Sequence, residues 1–120
     1  MDTAEVPRRF VLTLDLKDDE TAQEQYRQYH AAVWPEVLES LRAAGVLGME
    51  IYLFGSRLCM VMEVTAEFSF ERKAEIDARS PAVQEWERLM WRFQQPLPTA
   101  RPGEKWLVME QIFAWRHASE

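Results

Sequence analysis

Between Arg9 and Leu16 apolar side chains fall at every second position, with Phe10, Leu12, Leu14 and Leu16 alternating with Val11, Thr13 and Asp15. A period of two predicts a strand with one covered face. The acidic run Asp18-Asp19-Glu20 ends it, and Thr21 with Glu24 reads as a capping box that opens a helix. Ala22, Tyr26, Tyr29, His30, Val33, Val37, Leu38 and Leu41 then recur at helical spacing until Gly45. Pro35 lies inside that run. It removes a backbone donor and crowds the preceding turn, so a kink or restart is predicted near Trp34.

Further along, Met49–Phe54 and Arg57–Thr65 read as two strands joined by a tight turn at Gly55-Ser56. Their parity assigns Met49, Ile51 and Leu53, with Leu58, Met60, Met62 and Val64, to one apolar face. Glu50, Tyr52, Cys59, Val61 and Glu63 fall on the other, mixed face. Phe68–Ala78 reads as a short helix, and Ser80-Pro81 restarts helicity with a cap and a first-turn proline. Val83, Trp86, Leu89, Met90 and Phe93 line one face of that second piece, which Gln95-Pro96-Leu97-Pro98 ends. After a turn-rich linker over Thr99–Glu104, the aromatic and β-branched residues of Trp106–Trp115 predict a last strand. Residues 1–7 and 117–120 read as loose ends of a single domain spanning 1–120.

The order strand, helix, strand, strand, helix, strand is that of an α+β, ferredoxin-like βαββαβ fold: a four-stranded antiparallel sheet with helices on one face. The mixed face needs a cover. Two such sheets packed face to face, a dimeric α/β barrel, supply one, with Trp106 or Trp115 of the last strand beside Glu50, Tyr52, Cys59 and Val61. A homodimer is therefore expected.

With 120 residues, 48% of them hydrophobic, the chain can close one core. A net charge of −6 argues against nucleic acid, which needs a clustered basic surface. No apolar run reaches membrane-spanning length, so no membrane partner is expected. The single Cys59 excludes an internal disulfide and points to a reducing cytoplasm. One cysteine and two distant histidines form no metal cluster, so neither metal nor cofactor is expected.

Candidate chemistry sits on the first helix. Tyr26 and His30 are four residues apart and so project from one helical face. Imidazole holds and releases a proton near neutrality, and a phenol beside it gives a second proton handle. Ring opening of a sugar hemiacetal needs two such handles. The same spacing also fits a half-buried helix face with no chemistry. Trp34 reads as core or pocket wall, Trp86 as either core or a surface for stacking on sugar. Glu87 also reads as an ordinary solvated helix residue. Glu63 and Glu110, within apolar strands, read as interface or structural groups that burial would perturb.

Taken together, Tyr26-Arg27-Gln28-Tyr29-His30 and Val33-Trp34-Pro35-Glu36 resemble the first-helix signature of the L-rhamnose mutarotase family. Ile51-Tyr52-Leu53, Met60-Val61-Met62-Glu63-Val64 and Val83-Gln84-Glu85-Trp86 before Met90 are similar in order and spacing. The resemblance runs from about Arg9 to Trp115. It implies a cofactor-free mutarotase, a dimeric α/β barrel that interconverts α and β anomers of a 6-deoxyhexose. It makes His30 the proton donor and Tyr26 its sugar-binding assistant. The family also reads substrate with paired tryptophans on the last helix and a strand tyrosine. Here Trp86 is followed by Glu87, and the strand position is occupied by Met49.

A carboxylate accepts hydrogen bonds from hydroxyls where an indole would stack, and methionine offers a softer contact without a hydroxyl. Proton chemistry retained within an altered recognition shell points to L-fucose first and L-rhamnose second. His30 and Tyr26 are the expected catalytic pair, and Tyr26, Met49, Trp86 and Glu87 the expected monosaccharide contacts. Alternatives on the same fold are an antibiotic-biosynthesis-type monooxygenase, a haem-binding enzyme, or a non-catalytic dimeric ligand-binding module.

Overall fold

Alternation in the first strand gives the molecule its floor. In the computed structural model, which describes residues 8–117, β1 (Arg8–Leu16) buries Leu12, Leu14 and Leu16 on one face. Helix α1 (Glu20–Ala31) opens on Asp19, whose Oδ1 accepts from the Thr21 backbone N–H at 3.0 Å. The expected Thr21–Glu24 box does not form. A carboxylate two residues earlier occupies the positive helix end, and Glu24 pairs with Arg27 at 3.0 Å instead.

The predicted restart at Pro35 is present. Helix α2 (Pro35–Ala44) follows Trp34, which is extended at φ −60°, ψ 137°, as steric pressure from a following proline requires. Gly45 then ends α2 at φ +94°, and a Cβ there would lie 2.8 Å from the Thr65 hydroxyl oxygen. Both the left-handed backbone and the close approach require glycine.

Strands β2 (Val46–Phe54) and β3 (Arg57–Val64) meet through the two-residue turn at Gly55-Ser56. Met49 pairs with Met62, Ile51 with Met60 and Leu53 with Leu58, while Glu50 opposes Val61 and Tyr52 opposes Cys59. The predicted parity holds: Leu58, Met60, Met62 and Val64 are buried, and Glu50, Tyr52 and Glu63 are exposed. Helix α3 (Phe70–Ala78) starts two residues later than predicted, because Ser69 caps it and leaves Phe68 free to enter the core. Helix α4 (Pro81–Trp91) starts as expected, with Ser80 accepting from the Val83 N–H at 3.2 Å.

Two short strands complete the sheet. β4 (Gln94–Gln95) and β5 (Leu107–Val108) both pair antiparallel with β1, giving the order β2-β3-β1-β4 with β5 also beside β1. This is the ferredoxin-like arrangement, with the helices packed over the face that carries Leu12, Leu16, Leu58 and Met62.

The last strand departs from expectation. Pairing covers only Leu107–Val108, and after a bond from the Met109 N–H to the Val11 carbonyl at 2.7 Å the chain leaves the sheet. Strand-forming residues need a neighbour to pair with, and beyond Met109 residues 110–117 pair with no strand among the described residues. Ile112, Phe113 and Trp115 are 87%, 79% and 72% exposed. Trp106 packs beneath the helices, so neither it nor Trp115 lies on the open sheet face. Glu63 and Glu110 are exposed rather than buried acids. The loose ends expected at 1–7 and 117–120 lie outside the described residues, except for His117, which is exposed and in no helix or strand.

Candidate functional site

A cavity of about 660 Å³ lies between the helices and the sheet. Tyr26, His30, Met49, Trp86 and Glu87 all line it. The first two come from one turn of α1, Trp86 and Glu87 from the middle of α4, and Met49 from the covered face of β2. The helix break brings this about in part: α1 stops just after His30, and Trp34 turns inward to meet Trp86 at 5.1 Å between ring centroids.

Tyr26 and His30 stack at 4.3 Å with their planes 35° apart. His30 Nδ1 is 2.9 Å from the Tyr26 backbone carbonyl oxygen. A carbonyl only accepts, so Nδ1 carries the hydrogen and Nε2 is left with its lone pair. Burial holds the His30 pKa below its usual value, against the opposing pull of that carbonyl. The imidazole is therefore neutral at pH 7. Burial also pushes the Tyr26 phenol up to about 12; a hydrogen bond from Gln94 works against the rise and the negative charge of Glu87 adds to it. Neutral phenol and neutral imidazole thus stand side by side, one with a proton to give and one with a lone pair to receive.

Trp86 meets His30 edge-on at 5.5 Å and is buried among Tyr26, Met90 and Phe93. It serves both as core and as cavity wall. Glu87 forms an ion pair with Lys105, whose ammonium also lies 5.1 Å from the Trp91 ring centroid. The pair presents an acceptor and a donor at the cavity wall, the complement of vicinal hydroxyls. Met49 contributes apolar surface and, as its parity predicts, faces the helices.

Sequence reasoning missed several lining residues. Gln94 is buried and donates through Nε2 to the Tyr26 hydroxyl oxygen at 3.3 Å. Lys105 falls between the segment read as linker and the one read as the last strand, and neither reading included it. Ser40 donates to Asp77 at 2.8 Å and Lys73 to the same carboxylate at 2.7 Å, forming a second polar group in the wall between α2 and α3. Neither periodicity nor motif marks these positions: Gln94, Lys105 and Ser40 gain their place from a distant partner, and Lys73 from Asp77 one turn on.

Comparison with known proteins identifies the family. The sequence profile described as L-rhamnose mutarotase matches residues 9–115. A protein named L-fucose mutarotase from Xanthomonas campestris pv. campestris is 45% identical over 113 residues, 92% of this chain and 90% of that protein. One named L-rhamnose mutarotase from Burkholderia orbicola is 33% identical over 93 residues, 76% of this chain and 84% of that protein. The crystal structure of an L-rhamnose mutarotase from Formosa agariphila shares the fold, with a TM-score of 0.67 at 19% identity, covering 91% of this chain and 99% of that one. The chain belongs to the L-rhamnose mutarotase family, carbohydrate isomerases that interconvert sugar anomers.

Proposed function

We propose that the protein interconverts the α and β anomers of a 6-deoxyhexose, with L-fucose preferred to L-rhamnose. The observation that carries this reading is the neutral Tyr26–His30 pair, with His30 Nδ1 tied to a carbonyl and both rings lining one cavity. His30 Nε2 takes the proton of the anomeric hydroxyl while the Tyr26 phenol protonates the ring oxygen. The C1–ring oxygen bond breaks and the aldehyde forms. After rotation about C1–C2 the hydroxyl attacks the other carbonyl face. The phenolate recovers its proton from that hydroxyl, and the imidazolium returns its own to the new anomeric oxygen. Each residue is donor in one half of the cycle, and no electrons are exchanged with any cofactor.

The sugar preference is supported by 45% identity to a protein named L-fucose mutarotase. It is also supported by the Glu87–Lys105 pair and Met49 in the recognition wall. Trp86 offers apolar surface for the carbon face of the ring. We further infer a homodimer, in which a second copy covers the open sheet face. Exposed Tyr52 and Phe54 on β2, and the apolar residues Ile112, Phe113 and Trp115, would be covered by that contact. Equilibrium sedimentation checks it: the expected mass is twice that of the chain, and a monomer at micromolar concentration rejects it.

Saturation-transfer NMR on equilibrated sugars tests the activity. Protein should transfer saturation between the α and β anomeric protons faster than water alone, and more for L-fucose than for L-rhamnose. Folded protein that leaves both sugars at their spontaneous exchange rate removes the reading.

A further inference from the structure

Gln94 has a role that its place in the sequence does not announce. It begins β4, where its backbone is held opposite Leu16, and its side chain reaches beneath α1 and is only 3% exposed as a residue. Nε2 donates to the Tyr26 hydroxyl oxygen at 3.3 Å. The other end of the amide, Oε1, is the one buried side-chain nitrogen or oxygen atom without a partner among the described residues.

The direction of this bond matters. An amide N–H has no lone pair to offer, so the phenol oxygen must accept, and its own proton has to point elsewhere. In the reversed orientation the amide oxygen would accept the phenol proton instead, and that proton would be engaged with the protein. An apolar side chain would leave no orphaned amide oxygen, but it would take from the buried Tyr26 hydroxyl its one partner among the described residues.

We propose that Gln94 is a positioning residue for the acid of the reaction. By donating to the Tyr26 oxygen, it aims the phenolic proton at the sugar and steadies the phenolate left when that proton departs. The amide also works against the burial that holds Tyr26 protonated, which eases the transfer. The inference rests on the acid–base reading above and assigns Tyr26 as acid in the ring-opening half.

Gln94→Glu is the sharpest variant, because it keeps the shape and reverses the bond: a carboxylate accepts the phenol proton and turns it away from the substrate. The maximal exchange rate should fall about ten- to a hundred-fold, the scale of a displaced reacting group, with KM little changed. On a Tyr26→Phe background the same substitution should cause no further loss, since Gln94 acts through the hydroxyl. Gln94→Met, which removes the donor without adding charge, should fall between Gln94→Glu and wild type and carries the test if Gln94→Glu fails to fold. A folded variant with the wild-type maximal rate, a loss confined to KM, or losses that multiply in the double variant would each overturn the proposal. Wild-type protein that fails to speed exchange overturns the mutarotase reading itself and takes this inference with it.

Discussion

Two clusters share the space between helices and sheet, and they are built differently. One gathers Leu12, Ala44, Met60, Met62, Val64 and Phe68, with no titratable group among them. The other gathers Leu16, Tyr26, Leu58, Trp86, Met90 and Phe93, with His30 against two of its rings, Tyr26 and, edge-on, Trp86, and Gln94 bonded to Tyr26. Leu12, Met60 and Met62 nonetheless line the same cavity as Tyr26 and His30. The sheet supplies an apolar floor, while protic groups enter from α1, α4 and the segment beyond it, with Ser40, Lys73 and Asp77 in the wall between α2 and α3. Stability and chemistry therefore draw on separate parts of one cavity, and substitutions should separate them.

The largest effect is expected on the protic side. His30→Ala should slow anomer exchange by about a hundred- to ten-thousand-fold, the usual worth of a general acid–base group, with little change in the urea midpoint. An unchanged exchange rate would break the division at its strongest point. On the floor, Met62→Ala should cost about 2–5 kcal/mol of stability by cavity formation, measured by urea unfolding. Exchange per folded molecule should stay near wild type. A loss of rate larger than the loss of folded protein would mean that the floor takes part in the chemistry.

Acidity gives a third, graded test. Because burial lowers the His30 pKa in the folded chain, exchange should be level near neutrality and fall as pH drops through a value below about 6.5. Stability has the same sign. The unfolded chain, with its ordinary histidine, binds more protons in that range, so stability from this group is full above about 6.5 and is lost as pH falls. A rate that rises on acidification would assign the imidazolium as the active form. The smallest effect is expected at Glu87: Glu87→Gln keeps an acceptor and loses only its charge, so it should weaken sugar affinity by less than about tenfold, a fraction of one hydrogen bond to a charged group. If Glu87 serves the proposed sugar preference, the ratio between L-fucose and L-rhamnose should narrow.

The floor was readable from the chain because strand parity is a local signal. Once Gly55-Ser56 is taken as the turn, Met49, Ile51, Leu58, Met60 and Met62 can only fall on one face. The helix break was readable from Pro35, and the Tyr26–His30 pair from its spacing, since both depend on neighbours within one turn. Met49, Trp86 and Glu87 entered through family resemblance, and all three line the cavity. Gln94 and Lys105 were not readable, because each matters through a partner far along the chain: Tyr26 for one, Glu87 for the other. Trp106–Trp115 misled for a related reason. Its composition suits a strand, but pairing with β1 ends after Leu107 and Val108, with one further bond from Met109.

The bond that orients His30 ends on the main chain of Tyr26, not on its side chain. No substitution at that position can take the carbonyl away. Drift or engineering can therefore exchange the phenol for another group while the imidazole keeps its tautomer and its aim. One half of the apparatus is free to change chemistry without the other having to be rebuilt, which makes this single turn a starting point for new proton-transfer catalysts.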